Sequence, residues 1–361
     1  MKNKNLDKLL SPRSIALVGA SPKEDSNGLA MYEMCRIDGF EGSIFLVNPN
    51  YSEINGVKCY ASIKNLGVTP DHVVIGIASR FVEEVFDQCV ELGIKAVTIF
   101  ASCFLENDSK PNLAERLKEK AFKFNIDICG PNCMGFYNPG SKLRIASFPS
   151  PEKLTKGGIA WIAQSGSAFG ALAHNDRRLG FNLCISTGME LKTTATDYLI
   201  WALMQKDTKV VGLFLETIRD PDNFIRALKE AIRKKIPVVV LKVGKTEKSA
   251  QMALSHTGAL VGNHVVYEAL FRTYGVIEVD DMDEMAATLA LFDLDKSLSN
   301  GDLVTIHDSG GERELVVDLC DELSINFSEI SVETKNEIST QLEPGLSAEN
   351  PIDIFGTNNN Y

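Results

Sequence analysis

The sequence predicts an α/β protein made of successive parallel-sheet domains, and three observations carry that prediction. Short runs rich in Val, Ile and Leu alternate with helical patterns along most of the chain, as they do when helices cross over between parallel strands. A Pro/Gly/Ser-rich stretch, Pro139-Gly140-Ser141 and then Ser147 to Pro151, interrupts the alternation and reads as a linker. Three stretches open with one local order, an apolar strand, a Gly/Ser turn and a helix: the turns are Gly19-Ala20-Ser21, Gln164-Ser165-Gly166-Ser167 and Asp308-Ser309-Gly310-Gly311.

The first domain is expected over residues 1–150, with strands at 14–18, 44–47, 73–77, 96–100 and 126–129 and helices at 80–92 and 113–124. The second is expected over 151–298. Its strands are read at 159–163, 183–186, 210–215, 238–243 and 276–279, and its helices at 168–179, 196–205, 223–234, 263–273 and 282–292. A third domain starts near 299 with a strand at 303–306 and a helix at 314–323. Too few units follow to bury both faces of a parallel sheet, so 299–361 is expected to be the truncated start of a domain.

Hydrophobic residues make up 44% of the 361 and charged residues 24%, an ordinary globular balance. No apolar run approaches the ~18 residues of a membrane span, and Met1 to Leu10 lacks the apolar core of a secretory signal. A soluble cytoplasmic protein without membrane contact is expected. The formal charge of -11 argues against nucleic acid as a partner. It leaves room for a small phosphorylated ligand held by backbone N–H groups at a helix N-terminus. Eight scattered cysteines form no CxxC pair, so they read as reduced core residues and no metal site is expected.

A nicotinamide dinucleotide is disfavoured. Its fingerprint places further glycines after the first turn and an acidic residue after the second strand, whereas Ser21 and Glu24 follow Gly19 and the second strand runs into Val47-Asn48-Pro49-Asn50.

Ser11 to Ser21, then Val47-Asn48-Pro49, then Gly130-Pro131-Asn132-Cys133-Met134-Gly135 together resemble the coenzyme A-binding domain of the NDP-forming acyl-CoA synthetases, relatives of the succinyl-CoA synthetase alpha subunit. The likeness continues through Ala163 to Gly166, Leu215 to Asp220, Lys242 to Lys245, Ser255 to Leu260 and Asn350 to Asp353, and so covers essentially the whole chain. It implies a Rossmann-like CoA-binding domain followed by flavodoxin-like domains, the last incomplete. Gly19, Ala20 and Ser21 match the turn that holds the CoA phosphates, Val47, Asn48 and Pro49 the loop beside the adenine nucleotide, and Pro131, Asn132 and Cys133 the stretch near the thiol. Asn50 stands where family members commonly carry Lys.

Among five histidines, His256 is set apart by Ser255, Thr257 and Gly258, a setting too polar for core. His72, His174 and His264 read as core or surface imidazoles, and His307 ends a strand beside the third glycine turn. A neutral imidazole can carry a phosphoryl group when its other nitrogen is fixed by an acceptor. The resemblance supplies that acceptor in Glu216, at the end of the strand 210–215. Ser165, Gly166 and Ser167 precede a helix expected to begin near Ala168, where N–H groups and the helix dipole can cradle phosphate.

The implied activity is an NDP-forming acyl-CoA ligase: a carboxylic acid, CoA and ATP give acyl-CoA, ADP and phosphate through phosphohistidine and acyl phosphate. A CoA-binding regulatory module, or a relative fused to an acetyltransferase, is the alternative. No G-x-x-x-x-G-K-[ST] occurs. ATP/ADP and Mg²⁺ are therefore expected on an ATP-grasp domain or beta subunit outside this chain, within an oligomer. The small carboxylic acid is not identified, but Gly188-Met189-Glu190-Leu191-Lys192 departs from the Gly-Asn-Glu-Ala-Asp-like stretch usual in the family. So does the segment His307 to Glu314 from the usual Asn-containing turn.

Overall fold

The computed structural model describes residues 4–150, 154–175, 178–246, 248–249, 264–294, 296 and 301–356. The chain divides into two compact units, Met1–Leu294 and Asp295–Tyr361.

The larger unit contains two sheets. The first is formed by β1 (Ser14–Val18), β2 (Ser43–Val47), β3 (Glu53–Ile54), β4 (Val57–Tyr60), β5 (His72–Ile75), β6 (Ala96–Ile99) and β7 (Asp127–Cys129), in the order β3-β4-β2-β1-β5-β6-β7. Apart from antiparallel β3, its strands are parallel. Counting only those, the order is the 3-2-1-4-5-6 of a doubly wound dinucleotide-type fold. On one face lie α1 (Lys4–Leu10) and α2 (Asn27–Ile37), and on the other α3 (Ser79–Glu91) and α4 (Leu113–Phe124). The α4 helix is closed at its start by a reciprocal capping box between Asn112 and Glu115. The sequence pattern does not announce α2, because both its sides are largely buried and no amphipathic stripe remains.

The second sheet takes β8 (Gly135–Asn138), β9 (Leu143–Ile145), β10 (Lys156–Ala163), β11 (Phe181–Ser186), β12 (Val210–Leu215), β13 (Val238–Lys242) and β14 (Ile277–Val279), in the order β14-β13-β12-β10-β11-β8-β9. Its parallel strands follow the 2-1-3-4-5 order of a flavodoxin-like sheet. Helices α5 (Gly166–Asn175), α6 (Ala195–Met204), α7 (Pro221–Lys234), α8 (His264–Thr273) and α9 (Met282–Asp293) accompany it. Side chains of β10 alternate between the faces: Ile159, Trp161 and Ala163 join the cluster under α5 and α9, while Ala160 and Ile162 join that under α6 and α7.

The linker reading of Pro139 to Pro151 differs from the structure. That segment holds β9, and the turn at Pro139 joins β8 to β9 in a hairpin lying antiparallel on β11. The hairpin covers an otherwise open sheet edge, and the chain therefore enters the second sheet at Gly135, inside the stretch expected to finish the first domain. Each strand is too short for its periodicity to show.

The two sheets also share one apolar core. Leu6, Leu9 and Ala96 from the first side join Ile185, Tyr198 and Leu199 from the second in a single cluster. Asp7 Oδ1 accepts a bond from Trp201 Nε1 at 3.0 Å. On another side, the fully buried Arg144 of β9 donates through Nε and Nη2 to both oxygens of Asp38, at 2.6 Å each, at the end of α2.

The smaller unit pairs β15 (Ile306–His307) in parallel with β16 (Ile352–Asp353) and carries α10 (Gly310–Glu322) and α11 (Val332–Ser339). The strand expected at 303–306 starts later, Leu303 making only a bridge to Phe327. Asn350 secures the unit, its amide donating to the carbonyls of Leu303 at 2.7 Å and Ser328 at 2.9 Å. His307 Nε2 lies 2.9 Å from Thr305 Oγ1.

Removing one partner of a buried ion pair strands the other charge. Asp38→Ala is accordingly expected to lower the stability of the larger unit by about 3 kcal/mol. In urea denaturation Arg144→Met with Asp38→Ala should cost less than the sum of the single changes. Strict additivity would show that the pair does not bind the two sheets together.

Candidate active site

Ligands of doubly wound sheets bind outside the carboxyl ends of the strands, where the strand order reverses. In the first sheet that point lies between β1 and β5, and in the second between β10 and β12. The loops that follow these strands meet in one cavity of about 790 Å³. Gly76 to Ser79 come from the end of β5, Gln164 to Ser167 from β10 and Glu216 from β12, with Asn132 and Cys133 from the loop after β7. The structure thus brings together Asn132, Cys133, Ser165, Gly166, Ser167 and Glu216, six of the residues singled out in the sequence.

A second cavity, of about 430 Å³, is lined by Gly19, Val47, Asn48, Pro49 and Asn50. Ile77 lines both cavities. Ala20, Ser21 and Pro131 line neither of the two, and their placement is structural. Ala20 is fully buried and its carbonyl accepts a bond from Asn48 Nδ2 at 2.8 Å, which ties the turn after β1 to the loop after β2. Ser21 Oγ accepts from the Lys23 N–H at 3.2 Å. The Pro131 carbonyl accepts from the Met189 N–H at 2.9 Å. Gly19 has φ 97°, and a Cβ there would stand 2.5 Å from the Gly76 carbonyl oxygen, so only glycine fits the crossing of the two loops.

Helix α5 begins at Gly166, two residues earlier than the sequence reading. Ser165 precedes it, and its Oγ accepts from the Ala168 N–H at 3.3 Å. Gly166 and Ser167 therefore occupy the first turn, whose N–H groups have no acceptor within the helix. They point to the cavity end of the helix dipole.

Glu216 is held by its backbone. Gln164 Oε1 accepts from the N–H groups of Glu216 at 2.6 Å and Thr217 at 3.0 Å, and Gln164 Nε2 donates to the Thr217 carbonyl at 2.8 Å. From the other side Lys242 Nζ donates to the Glu216 carbonyl at 2.8 Å and to the Val243 carbonyl, and lies 4.7 Å from the Tyr267 ring centre. Lys242 is 2% exposed, and burial pulls its ammonium down to about 8. Asp220 caps α7, its carboxylate accepting from the Asn223 N–H at 3.1 Å.

Behind Gly188 and Met189, the buried Glu190 carboxylate accepts from Thr187 Oγ1 and the Ala195 N–H, each at 2.9 Å, and faces Arg219 Nε at 3.3 Å. Burial pushes this carboxyl above its ordinary range. The Cys133 thiol is buried and reaches the Ile99 carbonyl oxygen at 3.5 Å, in keeping with a structural sulfur. His256, with Ser255, Thr257 and Gly258, lies outside the described residues.

Gln164, Lys242 and Glu190 fall within motifs named in the sequence, but none was given a role of its own there. Lys242 also stands out as a charge closing the otherwise apolar run 238–243. The significance of Gln164 appears only when β10 and β12 are neighbours.

Residues 13–139 match a CoA binding domain, and residues 156–292 a succinyl-CoA ligase like flavodoxin domain. The chain is 33% identical over 347 residues to an ADP-forming acetate–CoA ligase of Methanocaldococcus jannaschii, covering 96% of this chain and 48% of that protein. It is 33% identical over 352 residues to an ADP-forming 4-hydroxybutyrate–CoA ligase of Nitrosopumilus maritimus, covering 50% of it. To the alpha subunit of ADP-forming acetate–CoA ligase II of Pyrococcus furiosus it is 31% identical over 356 residues, covering 98% of this chain and 76% of that subunit. The chain thus spans about half the length of the first two relatives. Among solved structures, the acetyl-coenzyme A synthetase 1 of Ca. Korarchaeum cryptofilum, in complex with phosphate and ADP, superposes with a TM-score of 0.84 at 27% identity, covering 97% of this chain and 76% of that one.

The depressed Lys242 gives a pH test. Unfolded, it titrates near 10.5, and folded near 8. Between those values the unfolded chain holds a proton that the folded chain has lost, so this group makes stability rise with pH. Arginine stays charged throughout. The wild-type unfolding midpoint minus that of Lys242→Arg should climb from pH 8 to 10.5, and a flat difference would mean that Lys242 is not desolvated.

Proposed function

This chain belongs to the family of the ADP-forming acyl-CoA ligases, along the length of their alpha subunit, and we propose that it is the CoA-binding and phosphoryl-carrying part of such a ligase. The observation that carries the reading is the single cavity in which the loop assigned to the CoA thiol, the first turn of α5 and Glu216 all meet.

In this reading His256 takes a phosphoryl group from ATP, and Glu216 accepts a hydrogen bond from the imidazole nitrogen that does not carry it. A carboxylate oxygen of the acid attacks the phosphorus, the N–P bond breaks, and acyl phosphate forms with imidazole as leaving group. The CoA thiol gives up its proton and attacks the acyl carbon, and inorganic phosphate departs. The first-turn N–H groups of Gly166 and Ser167 receive the phosphoryl oxygens at each stage, since developing negative charge is best met by fixed donors. ATP/ADP and Mg²⁺ belong to an ATP-grasp part, fused or supplied as a partner subunit. The adenine end of CoA falls to the cavity beside Asn48 and Pro49.

The second half of this cycle, run backwards, needs no nucleotide. Acetyl-CoA with radiolabelled phosphate should place acid-labile, base-stable label on the 361-residue chain. The label should be absent from His256→Ala and reduced in Glu216→Gln. ATP with Mg²⁺ should label the chain only after an ATP-grasp partner is added. Undiminished labelling of His256→Ala would sink the mechanism.

The adenine-side cavity offers an independent check. Titration calorimetry should detect CoA and not NAD. Asn50→Lys, placing a cation where the cavity has an amide, should tighten CoA by about twofold to fivefold at low salt and lose that gain at high salt. NAD binding without a response to CoA would overturn the assignment of this cavity to CoA.

A further inference from the structure

Resting on the reading that places the adenine end of CoA in the cavity beside Asn48 and Pro49, we propose that this chain does not select for the 3′-phosphate of CoA. Dephospho-CoA and its thioesters are accepted at least as readily, and Asn50 and Glu84 are the residues that decide it.

Charge inside the cavity gives the first argument. A 3′-phosphate carries about two negative charges at neutral pH. Among the described residues lining this cavity there is no lysine or arginine, and Glu84 is the carboxylate. The other polar side chains there, Asn48, Asn50, Ser62 and Gln88, are neutral. Two of them are already engaged with the protein. Asn48 Nδ2 donates to the Ala20 carbonyl and Ser62 Oγ to Gln88 Oε1, each at 2.8 Å. A phosphate inside the cavity would therefore meet amides and a like charge, which do not repay its lost hydration. One standing outside keeps its water and adds little.

Charge around the cavity gives the second. Lys64, next to the lining residue Ile63, pairs with Glu91. The Arg80 guanidinium lies 4.7 Å from the ring centre of Phe81, another lining residue. Arg80 is exposed, and a contact to an exposed cation is worth little. With a formal charge of -11, the chain as a whole repels an added dianion when salt is low. What the cavity does offer is common to both ligands: Val47, Ile63, Ile77, Phe81 and Val85 give the adenine ring an apolar wall.

Calorimetry on the full chain with CoA and dephospho-CoA, in about 20 mM and about 300 mM salt, reads the 3′-phosphate as the ratio of two Kd values. In low salt dephospho-CoA should bind about twofold to fivefold more tightly, and the ratio should approach one in high salt as the repulsion is screened. Glu84→Lys and Asn50→Lys should each turn the low-salt ratio towards CoA, a readout internal to each variant. Arg80→Gln should keep the wild-type ratio within about twofold. CoA binding more than about twofold tighter than dephospho-CoA to the wild type in low salt would show that a cation holds the 3′-phosphate, and the proposal would fall. A ratio unmoved by both lysine variants would separate Asn50 and Glu84 from the 3′-phosphate and overturn it as well. Failure of both ligands to bind overturns it together with the CoA reading beneath it.

Discussion

The site exists because the carboxyl ends of two parallel sheets are held against each other. A parallel sheet delivers its loops, glycine turns and helix N-termini to one edge, and a second sheet doubles that supply only if it is locked in place. The lock is apolar: α1, β6, β11 and α6 contribute side chains to one cluster, and separating the sheets would expose all of it to water. Arg144 and Asp38 fix a second point, where β9 meets α2. With both constraints met, the turns after β5, β10 and β12 are the walls of one cavity rather than three separate surfaces.

The hairpin β8–β9 has a related consequence. By crossing to the second sheet immediately after Met134, the chain draws the loop 131–134 taut between the two sheets, and Met134 N–H donates to Ser186 Oγ at 3.1 Å. The residues assigned to the CoA thiol are in this way tied to β11, and Gly188, just beyond β11, is packed on their other side. That loop is thus supported on both flanks by strand ends.

Most of the strands were legible in the sequence because buried parallel strands read as continuous apolar runs, as at 210–215 and 238–242. The strands of β3, β4, β8 and β9 were not, since two to four residues cannot establish a period. Gly19 and Ser165 to Ser167 were visible as turn residues that close apolar runs at strand ends, whereas Glu216 was singled out through the family resemblance. What the sequence could not display was the second layer of contacts. Gln164 grips Glu216 and Thr217 because β10 lies beside β12, and Lys242 reaches the Glu216 carbonyl because β13 pairs with β12 in a register that sets Lys242 opposite Leu215. Such contacts are products of strand order and register, and neither can be read from local residue patterns.

The charge balance of the cavity bears on why a phosphoryl group would move through it. Among the described lining residues, a phosphoryl group in the proposed relay would meet backbone and side-chain dipoles, with the Glu216 carboxylate in the same space. Lysines or arginines at close range would bind phosphate tightly and hold it. N–H donors at the start of α5 stabilise an anion through fixed dipoles that need no reorganisation as charge shifts between oxygens, and a nearby carboxylate keeps that stabilisation from becoming a trap. Lys242 fits the same balance. Its ammonium is directed at the carbonyls of Glu216 and Val243 rather than into the cavity lining, so it steadies the strand end that carries Glu216 without adding a cation to the cavity lining. In the proposed relay, an acidic chain is therefore suited to passing a phosphoryl group on, because among the described lining residues the groups that position it are dipoles and the full charge beside it, on Glu216, favours departure.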